Sequence, residues 1–94
     1  MLESKFQREL IEELKAIFPG ALIYKNEGKQ GLPDLTILWG THWALLECKK
    51  SAHEVPRPNQ PYYVNLANEM SFSRFIYPEN KQEVLYELQQ AFGA

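Results

Sequence analysis

The stretch from residue 31 to residue 50, GLPDLTILWGTHWALLECKK, constrains this chain more than any other. Two apolar runs flank Gly40-Thr41, and both read as strands buried on each face. Glycine suits the first position of a two-residue hairpin loop. If Gly40 and Thr41 form that loop, Trp39 pairs with His42, and counting outward sets Asp34 opposite Glu47. Directly opposed residues hold their Cβ atoms about 4.5–5.5 Å apart. Lys49 lies two residues beyond Glu47 and therefore shares its face. A four-residue loop also keeps all three on one face, whereas a three-residue loop sends Asp34 to the other. The pattern favours an even loop.

Facing carboxylates repel, and the strands that carry them are otherwise apolar. Such a pair is costly unless something positive sits between its members. A hard divalent ion such as Mg²⁺ takes oxygen ligands, commonly one or two carboxylates completed by water and substrate phosphate. A lysine beside that ion is placed to orient an attacking water, and the combination suits phosphodiester hydrolysis. Taken singly, Asp34 after a proline is an ordinary turn residue and Glu-x-Lys an ordinary strand end. Their convergence at one end of one hairpin points to chemistry.

The rest of the chain supports a compact setting for that hairpin. Ninety-four residues, 45% of them apolar, suit one domain spanning 1–94 with a real core. The formal charge of -2 offers no general basic field, so nucleic-acid binding requires a local cationic patch or a metal. The lone cysteine, Cys48, cannot close an internal disulfide, which fits a reducing compartment. No apolar run reaches the roughly 20 residues of a membrane span, and the acidic start is no signal peptide. The expectation is a soluble, cytoplasmic protein without a membrane partner.

Apolar residues at Leu2, Phe6, Leu10, Leu14 and Ile17 predict a first helix stopped by Pro19-Gly20. A short strand follows over 21–26, then a polar loop, the hairpin strands over 34–39 and 42–49, and a proline-containing loop. A helix over 59–70 should turn Tyr63, Leu66, Ala67 and Met70 inward. A fourth strand covers 71–77. Asn80 with Glu83 reads as a capping box, opening a last helix with Val84, Leu85, Leu88 and Phe92 inward. The order αβββαβα defines an α/β class with a mixed sheet flanked by helices.

Two polar groups interrupt apolar stripes. Glu3 and Gln7 fall within or beside the inward face of the first helix, while Lys5, Arg8, Glu9, Glu12 and Lys15 lie on its solvated side. Gln60 sits one turn before Tyr63, at the start of the second helix. Inward polar groups need partners, and the expectation is that Glu3 and Gln60 face the cluster of Asp34, Glu47 and Lys49.

Asp34 after proline, followed by Glu47-Cys48-Lys49, resembles the PD-(D/E)XK nuclease signature. The spread from KFQREL through KNEGKQGLPDLTIL and ALLECKK to RPNQPYYV resembles the VRR-NUC family within it, in particular its small stand-alone phage and bacterial members. The resemblance implies a restriction-endonuclease-like αβββαβ core with an extra C-terminal helix. It implies a Mg²⁺-dependent (or Mn²⁺-dependent) DNA endonuclease with catalytic residues Asp34, Glu47, Lys49 and Gln60. Asp34, Glu47 and the Cys48 backbone carbonyl would ligate the metal, with Glu3 supporting it through water and Lys49 orienting the nucleophile. In related junction-resolving nucleases the first-helix acid aligns with Gln7 instead.

Lys25, Lys29, Lys50 and Arg57 flank the proposed site and are candidate phosphate contacts, with Asn26 and Gln30 as uncharged donors. No base-reading element is evident, so selectivity for DNA structure is expected, branched or Holliday-junction DNA in particular. Symmetrical junction cleavage needs two nicks, and the resemblance implies a homodimer. The alternatives are a non-catalytic DNA- or protein-binding module on the same fold, and a nuclease for single strands or RNA. His42 and His53 read as turn and loop residues, and Trp39, Trp43, Tyr62 and Tyr63 as core or interface.

Overall fold

A two-residue turn closes the hairpin and fixes everything around it. The computed structural model describes residues 2–28 and 30–94. In chain order it contains α1 (Glu3–Ile17), β1 (Leu22–Lys25), β2 (Leu35–Trp39), β3 (His42–Cys48), α2 (Gln60–Met70), β4 (Ser73–Ile76) and α3 (Lys81–Phe92). Trp39 pairs with His42 and Leu35 with Leu46 in antiparallel register. Gly40 has φ +60°, and among the described residues no residue other than glycine has positive φ. A positive φ at the first loop position alone is the signature of a type II′ turn, whose twist matches the strands it joins.

The described strands form one mixed sheet in the order β1-β2-β3-β4. β1 pairs antiparallel with β2, and β4 runs parallel to β3. A parallel neighbour requires a crossover, which α2 and its preceding loop provide. The pleat sorts the hairpin residues into two sets. Leu35, Ile37, Ala44, Leu46 and Cys48 project into the main core with Phe6, Leu10, Leu14 and Phe18 from α1 and Val84, Leu85, Leu88 and Phe92 from α3. Lys81 and Glu13 bind α3 to α1 by an ion pair of 2.9 Å. Trp39 lies against Phe18, ring centroids 5.2 Å apart, and its indole N–H donates to the Pro19 carbonyl. The opposite set comprises Asp34, Thr36, Leu38, Trp43, Leu45, Glu47 and Lys49, facing the side that α2 partly covers.

Three expectations need correction. The inward face of α2 runs through Gln60, Val64 and Ala67, and Met70 is exposed. Gln60, buried by polar partners, rotates the helix away from the stripe that hydrophobicity alone predicts. Leu2 is exposed because it precedes α1 as its extended N-cap. Asn80 precedes α3 but makes no capping bond; its amide donates to the Phe75 carbonyl and its oxygen accepts from the Tyr77 N–H, stapling the turn after β4. Lys29 lies outside the described residues. Among the described residues, no helix is long and apolar enough to cross a membrane.

Gly31 determines how closely the start of β2 approaches α2. Its φ is +90°, and a Cβ there would lie 2.6 Å from the Asn59 Cβ and 3.2 Å from the Tyr63 ring. Gly20 has a similar φ of +84° but open space around it. Gly20→Ala should cost about 1–3 kcal/mol from backbone strain alone. Gly31→Ala should cost more, by a further ~1–3 kcal/mol of overpacking. Urea unfolding of both variants measures the difference; equal losses would mean that α2 does not press on residue 31.

Candidate functional site

Continuing the β2–β3 register by one pair brings Asp34 opposite Glu47, on the same side of the sheet as Lys49. Glu3, Asp34, Glu47, Lys49, Glu54, Arg57 and Gln60 line one pocket of about 170 Å³ at this end of the sheet. The first helix thus contributes Glu3, and the start of α2 contributes Gln60. Gln7 turns elsewhere, its side chain bonding the Cys48 thiol. The Cys48 side chain is fully buried in the core, where desolvation pushes its thiol well above the usual range.

Gln60 organises the pocket. Its amide nitrogen donates to Glu47 Oε2 at 2.9 Å. Its oxygen accepts from Lys49 Nζ at 2.6 Å and from the Arg57 backbone N–H at 2.8 Å. One side chain therefore fixes an acid, a base and the loop leading into α2. The Lys49 ammonium also faces Glu47 Oε2 at 3.7 Å and Glu54 Oε2 at 3.5 Å. Lys49 and Glu47 are almost wholly buried, so these partners are what make a charge there tolerable.

The acids are not equivalent. Asp34 Oδ2 accepts from the Cys48 backbone N–H at 3.0 Å, which ties its carboxylate to β3. Glu47 is pushed up to about 8, first by burial and then by Asp34, against the opposing pull of Lys49. Glu3 is raised as well, by burial and then by Glu54 and Asp34. Glu54 is lowered, chiefly because the Lys50 N–H donates to its carboxylate.

Glu54 is the pocket residue that sequence reasoning missed. It lies in the irregular loop between β3 and α2, where no periodicity signals which side chains turn inward. Of the expected phosphate contacts, Arg57 lines the pocket, and Lys50 is exposed immediately beyond Lys49. Lys25 is exposed too, but it pairs with Leu35, so its side chain leaves the sheet on the side opposite Asp34. Asn26 is engaged structurally: its amide donates to the Pro33 carbonyl and its oxygen accepts from Thr36 Oγ1.

Among the described residues, no group of three or more His, Cys, Asp or Glu side chains forms a ready metal cage. The donors that do converge are all oxygen, and two of them are opposed carboxylates. That set fits a Mg²⁺-type ion, which is held by one or two carboxylates with water and phosphate completing its shell. It does not fit a closed structural zinc site.

The architecture is thus a mixed α/β sheet flanked by helices, with an acid–lysine–glutamine cleft at one end. Its fold is VRR-NUC-like. A solved structure described as a VRR_NUC domain protein superposes with a TM-score of 0.71 at 15% identity, covering 97% of this chain and 90% of the other. No protein-family model and no curated protein sequence matches the chain.

The raised Glu47 has a thermodynamic consequence. Between about pH 4.5 and pH 8 the folded chain retains a proton that the unfolded chain has released, so stability falls as pH rises across that window. The slope from one such group is at most about 1.4 kcal/mol per pH unit. Thermal unfolding in EDTA should show a Tm that declines from pH 5 to pH 8, and Glu47→Gln should flatten the decline and raise Tm at pH 8. A parent protein whose stability instead climbs through this window would mean that buried Glu47 does not retain its proton there.

Proposed function

We propose that this protein is a divalent-metal-dependent, structure-selective DNA endonuclease, a single VRR-NUC-like domain acting on branched DNA such as four-way junctions. The observation that carries the reading is the convergence of Asp34 and Glu47 beside a buried Lys49 held by Gln60. Asp34, Glu47 and the Cys48 carbonyl would hold Mg²⁺ or Mn²⁺, with Glu3 supporting it through water. A cation bound there supplies charge neutralisation at the phosphate and acidifies a water.

The chain's own groups do the rest. Lys49 donates toward the phosphate oxygens and orients the water, whose oxygen forms the new P–O bond as one ester P–O bond breaks. Gln60 keeps the ammonium aimed and keeps Glu47 from turning away. Arg57 at the rim, with Lys29 and Lys50, supplies phosphate contacts that carry no sequence information, and Lys25, which leaves the sheet on the other side, takes no part. Cytoplasmic residence, in a host cell if the gene is a phage's, belongs to the same reading and is supported by the single reduced cysteine.

Purified protein incubated with four-way, flap, duplex and single-stranded substrates, with Mg²⁺ or EDTA, tests this. Metal-dependent cleavage of a branched substrate is expected, and no cleavage of any substrate would reject it. Lys49→Ala should lower turnover by about 10²–10³-fold while DNA binding persists. Arg57→Ala should weaken binding to all sequences alike and reduce the salt slope by ~1. A binding module on the same fold would have no cleavage to lose.

Two symmetrical nicks require two sites, and a homodimer is part of the proposal. Leu22, Tyr24 and Leu38 are exposed on the same sheet face as Asp34, a strip of the kind such an interface would bury. Sedimentation velocity should give a dimer in the parent and a monomer in Tyr24→Lys; a monomeric parent would remove this part.

A further inference from the structure

A second cavity adjoins the acidic pocket and has no part in holding a metal. It measures about 210 Å³, and Lys49 and Glu54 stand in the walls of both. Its other walls include the rings of Phe75 and Tyr77 and the pyrrolidine of Pro56. Phe75 pairs with Glu47 in the parallel β3–β4 ladder. Its side chain therefore leaves the sheet on the cleft side, one strand spacing (about 4.8 Å) from the acid. Tyr77 follows two residues later and leaves the backbone on that side too. Among the described residues neither ring pairs with another aromatic ring, so neither is committed to core stacking.

The dividing wall is held firmly. Glu54 accepts from the Lys50 N–H at 2.9 Å and faces Lys49 Nζ at 3.5 Å. A strand whose phosphate lies against Lys49 in the acidic pocket has its adjoining nucleotide beside the second cavity. A cavity of about 150 Å³ accepts one benzene ring, so 210 Å³ has room for a heterocycle of nucleobase kind. Aromatic and apolar walls beside a cationic group form the stacking platform that accepts any base.

We infer that the Phe75–Tyr77–Pro56 cavity receives one unstacked nucleobase of the strand whose phosphate occupies the cleft. This rests on the proposed nuclease reading and narrows its substrate class. The favoured DNA carries an unpaired or readily unpaired nucleotide next to the scissile phosphate, as at a branch point or flap. A fully stacked duplex cannot fill the cavity without first flipping a base.

The test is an abasic scan of binding. Fluorescently labelled flap and four-way junction DNAs, each lacking one base near the branch, are titrated with the parent protein in EDTA and in Ca²⁺. One position should lose about 5- to 100-fold in affinity, and paired duplex should show no such position. In Phe75→Leu, and independently in Tyr77→Leu, the intact and abasic DNAs should bind nearly alike. If either variant fails to fold, the parent scan and the other variant decide.

Affinities within twofold at every abasic position would overturn the inference, as would a penalty that survives both substitutions. Cleavage with a flat scan removes the base pocket and leaves the nuclease reading standing. A position-specific penalty without cleavage in any metal does the reverse. Absence of DNA binding overturns both.

Discussion

The opposition of Asp34 and Glu47 across the β2–β3 hairpin is the constraint on which the site depends. A repulsive, poorly solvated carboxylate pair does not form for its own stability. It is imposed by register. A slip of one residue in β2 would send Leu35 and Ile37 out of the core and turn Asp34 away from Glu47 and Lys49. Burying a large aliphatic side chain contributes about 1.5–3 kcal/mol, so Leu35 and Ile37 together outweigh the cost of one partly protonated acid pair. The Gly40-Thr41 turn selects the same register independently, and the hydrophobic effect holds in place a cation-seeking arrangement that electrostatics alone would disperse.

Gln60 then makes the cleft usable. A carboxylate at its position could accept from Lys49 but would add another negative charge beside Glu47. An amide offers an acceptor to Lys49 and a donor to Glu47 at the same time, and here it does both. The Arg57 N–H uses the same oxygen, so the loop entering α2 is fixed by the residue that aims the lysine. Gly31 lets α2 stand close enough for this, because any side chain there would strike Asn59.

Sequence reasoning reached the elements whose patterns are set by burial alone. The stripes of Phe6, Leu10 and Leu14 and of Val84, Leu85, Leu88 and Phe92 lie in the core where their spacing puts them, and the even hairpin follows from two runs and one glycine. It failed where polar partners compete with periodicity. Gln60 faces the cleft as expected, but Met70, expected inward on α2, is exposed, and Asn80 bonds backward to the turn rather than forward to its helix. Glu3 was legible as a polar interruption on an apolar face. Glu54 was not, since an irregular loop has no repeat from which to read direction; only its folding back onto Lys50 and Lys49 brings it to the cleft.

At 15% identity most side chains differ from those of the VRR_NUC domain protein, yet the backbone superposes over nearly the whole chain. Cores tolerate such exchange when pattern and volume persist, so the shared fold by itself carries no chemistry. What it carries is position. Glu47 and Lys49 sit at the carboxyl end of β3, beside the carboxyl end of its parallel neighbour β4, and the crossover between them returns through the N-terminus of α2. Strand carboxyl ends and helix N-termini are where parallel β-α-β units gather ligands, because orphan N–H groups and the helix dipole face outward there. In this chain that end holds the acids, Lys49, Arg57 and the start of α2. Opposed acids and two cationic side chains thus share one cleft in a chain of formal net charge -2.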